Sequence, residues 1–103
     1  MKVSFLQSGG FVGAPRGCDL DAAALEPNAA GELERLARES GLTASGTFLS
    51  AAARDLKRYE IVIEGAGPGG EAVRVTLDDS TVPAPAREFL AYLKRRSKPR
   101  PPA

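Results

Sequence analysis

Val3 and Phe5 alternate with Lys2 and Ser4 near the start of the chain, which is the two-residue period of a strand with one buried face. Ser8-Gly9-Gly10 supplies turn chemistry, since glycine reaches positive φ without steric penalty. Phe11 to Leu20 reads as the returning strand, interrupted by Gly13, Pro15 and Gly17. Proline cannot donate to a ladder, so this strand is expected at a sheet edge or bulged at Pro15. The period then changes. Leu25, Leu33, Leu36, Ala37 and Ser40 fall on one face at helical spacing, with Glu32, Glu34, Arg35, Arg38 and Glu39 on the rest. Pro27 suits the first turn and Gly41 a left-handed stop. Leu42 to Ala53 reads as a connection anchored on the core by Phe48 and Leu49.

The clearest pattern lies further on. Tyr59, Ile61 and Ile63 alternate with polar neighbours, and Val73, Val75 and Leu77 do the same after a glycine-rich stretch, which predicts a hairpin. A final helix starts near Pro85, with Ala86, Phe89, Leu90 and Leu93 on one face and Lys94, Arg95 and Arg96 complementing its dipole. The expected fold is α+β: one domain over residues 1–96, with a largely antiparallel four-stranded sheet of two hairpins and two helices packed on one face. The order is β-β-α-β-β-α, followed by a disordered, basic, Pro-rich tail over residues 97–103.

At 103 residues, 43% of them apolar, one core can hide roughly 65% of the surface that the unfolded chain exposes. Histidine is absent and cysteine occurs once, which excludes a Ser-His-Asp triad, a Cys-His pair, a disulfide framework and a His- or multi-Cys zinc site. No apolar run reaches membrane-spanning length, and Met1 to Gln7 lacks the features of a secretory signal. With a lone Cys18, the expected location is the cytoplasm and the default state a monomer. Net charge +1 conceals an asymmetry: five of the 14 basic residues (Lys94, Arg95, Arg96, Lys98, Arg100) lie in the last ten positions, which contain no acid. The rest of the chain is therefore acidic and a poor partner for nucleic acid, whose affinity grows with the cations brought to the phosphates.

Gly65-Ala66-Gly67-Pro68-Gly69-Gly70 satisfies G-x-G-x-x-G, but a strand follows where the dinucleotide fingerprint needs a helix, so it reads as a hairpin tip. Asp78-Asp79-Ser80 and Asp19-x-Asp21 lack the further oxygen ligands of a calcium loop and read as turn and helix-start groups. Cys18 has no cationic cluster to make it a low-pKa nucleophile. Tyr59 and Tyr92 suit the core edge, with the ring buried and the hydroxyl wet. No acid, base and nucleophile assemble, and neither cofactor nor metal is implied. The chain reads as a non-enzyme.

Ser8-Gly9-Gly10-Phe11-Val12-Gly13 places an aromatic and a β-branched residue among three glycines. One reading packs Phe11 into the core. The other makes a narrow, mostly Cβ-free loop that presents one large apolar side chain to a cleft. With the opening Met1-Lys2-Val3-Ser4-Phe5 strand, Leu20-Asp21, Glu32-Leu33-Glu34-Arg35-Leu36, the Tyr59 strand, Val82-Pro83 and Phe89-Leu90-x-x-Leu93, this signature resembles the emfourin family over about residues 1–96. These small bacterial proteins inhibit thermolysin-like, particularly protealysin-like, zinc metallopeptidases. The resemblance implies that the partner is such a peptidase and that Phe11 fills the pocket just after the scissile bond. Ser8, Gly9, Gly10, Val12 and Gly13 would shape that contact, with Phe48 and Leu49 as secondary candidates. The alternative is a small regulatory module that binds nucleic acid or an anionic surface through the basic C-terminal tail.

Overall fold

The computed structural model describes residues 1–9, 14–51 and 56–100. Its elements, in chain order, are β1 (Lys2–Gly9), β2 (Arg16–Asp21), α1 (Pro27–Glu39), β3 (Gly46–Phe48), β4 (Lys57–Ile63), β5 (Val73–Asp78), α2 (Arg87–Arg96) and β6 (Lys98–Pro99). Short 3-10 turns at Ala22–Ala24 and Ala84–Ala86 lead towards the two helices. The strands form one six-stranded sheet in the order β3-β5-β4-β1-β2-β6. Every pairing is antiparallel except β3 with β5.

The alternation predicted from sequence fixes which face is dry. Val3 and Phe5 of β1, Tyr59, Ile61 and Ile63 of β4, and Val73, Val75 and Leu77 of β5 are buried in one core with Leu33, Leu36 and Ala37 of α1 and Phe89, Leu90 and Leu93 of α2. Their neighbours Ser4, Leu6, Glu60, Val62 and Arg74 line the opposite face. Both helices thus cover a single side, because only one side of the sheet is apolar. Pro27 stands in the first turn of α1, and Gly41 follows its end at φ 74°, a conformation that costs an L-residue its Cβ clearance. Asp21 starts the first 3-10 turn by accepting the Ala23 N–H at 3.0 Å.

The four-stranded expectation is corrected to six, and the order becomes β-β-α-β-β-β-α-β. The two added strands have three and two residues, too short for any alternation to show. The segment expected as a disordered tail begins instead with Lys98 and Pro99 paired to Gly17 and Arg16. Arg100 then donates its N–H to the Pro15 carbonyl at 2.7 Å and its guanidinium to Asp19 at 2.8 Å. Residues 101–103 lie outside the described residues. Pro15 precedes β2 and does not interrupt it, and Ser8 and Gly9, expected in a turn, belong to β1.

Three side chains depart from expectation. Phe48 is 52% exposed and is not a core anchor; its ring folds back over Gly46, where a β-carbon would lie only 2.6 Å from Cζ. Tyr59 and Tyr92 are fully buried and do not sit at a wet core edge. The Tyr59 hydroxyl donates to Asp79, while that of Tyr92 is buried with no partner among the described residues.

Candidate functional site

β1 overhangs its partner on one side. Its pairing with β2 ends at Gln7 with Arg16, whereas its pairing with β4 continues through Ser8 with Arg58 to Gly9 with Lys57. The connection from Ser8 to Pro15 therefore leaves the sheet held against β4 at one root, and at the other by the bond from Arg100 to Pro15. Gly9 has φ 79°, and a β-carbon there would press to 3.3 Å of the Leu56 carbonyl oxygen. Only glycine satisfies that dihedral and that approach without strain. Gly10, Phe11, Val12 and Gly13 lie outside the described residues.

The second candidate segment emerges from the same end. β3 runs parallel to β5, with Phe48 opposite Leu77, and β5 runs parallel to β1 through β4. The C-terminal ends of β1 and β3 are three strand spacings apart, about 14 Å. Ser8 and Gly9 are thus brought to the same rim as Phe48 and Leu49. Phe48 borders a groove with Leu42, Ala44, Leu77 and Pro83, and Leu49 is half-buried.

Between these segments the rim is fastened by two adjacent carboxylates. Asp78 is fully buried. One of its oxygens accepts the Ser50 N–H at 2.7 Å and the Ser50 hydroxyl at 2.8 Å. The other accepts the Ser80 N–H at 2.8 Å and hydroxyl at 2.7 Å. Burial pushes the acid upward, but the four donors from Ser50 and Ser80 outweigh it and hold Asp78 well below the usual carboxylate range. This pairing ties the segment leaving β3 to the turn after β5. Asp79 accepts the Tyr59 hydroxyl and, at 3.1 Å, the Lys57 N–H, fastening the start of β4. Burial, followed by the Asp79 carboxylate, raises the Tyr59 phenol well above its ordinary value. The Lys94 ammonium lies 4.6 Å from the centre of the Tyr59 ring, and Phe5 stacks against that ring at 6.1 Å.

The Asp-Asp-Ser cluster is legible in sequence as turn chemistry, and it does form the turn. Its reach to Ser50, 28 residues away, left no local signal. Cys18 is buried with its sulfur 3.7 Å from the Leu93 carbonyl, and burial raises its thiol. Such a thiol is a poor nucleophile. Asp19 is held below its usual range by Arg100, then by Ser4. Among the described residues no group of three His, Cys, Asp or Glu side chains is arranged to hold a metal, and no helix is long and apolar enough to cross a membrane. The Gly65–Gly70 stretch is the tip of the β4–β5 hairpin, turned at Gly65 and Gly70 with φ 81° and 82°.

Three of the five tail cations are engaged within the chain: Lys94 on Tyr59, Arg96 at 3.8 Å over the Tyr92 ring, and Arg100 on Asp19. Of these three contacts, the Arg100–Asp19 pair sets charge against charge, and the two ring contacts leave Lys94 and Arg96 cationic. No curated protein and no solved structure matches the chain. The Emfourin family does match, over residues 5–94, a span that takes in both candidate segments and runs from within β1 to within α2. With that much of its 103 residues aligned, the chain belongs to the Emfourin family, a family of protease inhibitors and not of enzymes.

Proposed function

We propose that the protein inhibits a thermolysin-like zinc metallopeptidase by inserting the Ser8–Gly13 loop into the enzyme's cleft, with Phe11 as the apolar anchor. The observation that carries this reading is the fixing of both loop roots. Gly9 pairs with Lys57 in the sheet, and Pro15 is bonded to Arg100. Fixed roots leave the loop less entropy to lose on docking than a free segment has, and a buried aromatic anchor is the usual hot spot of such a contact. The glycines on either side of Phe11 let the enzyme's walls approach the backbone. Phe48, half-exposed on the same rim, and Leu49 supply a secondary contact.

The test is a titration of the purified protein against a thermolysin-like peptidase, with a zinc peptidase of another family as control. Stoichiometric loss of activity in the first and none in the second is expected. Full activity of the thermolysin-like enzyme at saturating protein overturns the reading.

A further inference from the structure

The two ends of the sheet carry opposite charge. At the end where the Ser8–Pro15 connection leaves, Lys57 and Arg58 flank Gly9 and Ser8, Arg16 pairs with Gln7, and Lys94 sits over Tyr59. The fully buried Asp78 is saturated by serine donors, so Asp79 is the exposed acid facing these four cations among the described residues. Arg54 and Asp55, outside the described residues, sum to zero. At the opposite end lie Asp21 and Glu64 beside Lys2, and Glu71 in the β4–β5 hairpin tip. The middle of the open face is internally neutral, with Arg74 paired to Glu60 and Arg100 to Asp19.

Distance decides whether the two ends cancel. The eight residues of β1 separate them by about 24 Å at about 3.4 Å per step, against a screening length of about 8 Å at physiological salt. A partner approaching the loop end therefore meets a positive field that the far acids do not offset, although the whole molecule carries only +1.

We infer that this cationic rim docks on an acidic surface bordering the peptidase cleft, and that it steers the loop towards that cleft. The inference rests on the inhibitor reading and adds the chemistry of the surface that the loop end meets. Charges at such a rim act mainly on the association rate, while a buried anchor such as Phe11 acts on dissociation.

The experiment measures association and dissociation rates of the full chain with a thermolysin-like peptidase, at low and at physiological ionic strength. The wild-type association rate is expected to fall about tenfold or more on adding salt. The double variant Lys57→Glu/Arg58→Glu is expected to associate about tenfold or more slowly at low salt, with its dissociation rate within about twofold. Glu64→Lys, at the far end, serves as control and retains the wild-type rate. If the double variant does not fold, Arg58→Gln with the wild-type salt series decides the matter. A wild-type chain that inhibits with a salt-independent association rate overturns this inference alone. One that binds no thermolysin-like peptidase overturns the inhibitor reading and this inference together.

Discussion

The α-carbon of Gly17 faces the carbonyl oxygen of Phe5 so closely that no β-carbon fits between them; the Arg100 side chain closes the same space at 3.0 Å from where that carbon would lie. Leu6 pairs with Gly17 across the β1–β2 ladder, so the approach is built into the register. The obstacle is backbone, which cannot swing aside as a side chain does. Gly17→Ala is therefore expected to destabilise the fold by about 2 kcal/mol, within the range for overpacking a close-packed interior. A lower urea midpoint at unchanged slope measures it.

Tyr59 joins the core to the rim through one hydroxyl. Tyr59→Phe keeps the ring that stacks on Phe5 and removes the donor to Asp79, leaving that carboxylate the Lys57 N–H. A loss of about 1.5–3 kcal/mol is expected, as for a hydrogen bond to a charged acceptor. Amide hydrogen exchange at Lys57 should quicken more than exchange at Ile61, since the fastening is local to the start of β4.

Acid sensitivity follows from Asp78. Its folded-state pKa lies below the unfolded value, so its stabilising contribution is fully present above about pH 5 and is lost as pH falls through the depressed value. The melting temperature is expected to decline steadily from about pH 5 towards pH 2. Asp78→Asn presents an amide nitrogen to a site built of donors. It should melt lower at neutral pH and lose less on acidification. Asp19 shifts in the same direction, but it is exposed, and solvent screening makes its share small.

Phe11→Ala separates the two meanings of that aromatic. Under the inhibitor reading, the inhibition constant rises about 30-fold, corresponding to about 2 kcal/mol of anchor energy, while the melting temperature holds. A variant that melts far lower with inhibition intact assigns Phe11 to the core.

The fold was readable wherever one periodicity ran long enough. The β4–β5 hairpin follows from six alternating apolar positions, and α1 from its stripe together with Pro27 and Gly41. β3 and β6 were hidden because a pairing of two or three residues is decided by its neighbours and not by its own sequence. Phe48 was misplaced for a general reason: aromatics are usually buried, yet Gly46 leaves room for the ring to lie back over an edge strand. Of the candidate site, the Ser8–Gly9 root was visible as glycine chemistry. The clamp from Asp78 to Ser50 was not, because it joins positions whose proximity exists only once β3 has paired with β5.

The clasp between Arg100 and Pro15 also bears on how the protein can be handled. Under the inhibitor reading, an affinity tag joined close behind Arg100 would sit beside the connection that meets the enzyme and crowd that contact. Met1, whose carbonyl accepts the Ala22 N–H at the other extremity of the sheet, is the better attachment point for immobilising the molecule or carrying a fluorophore.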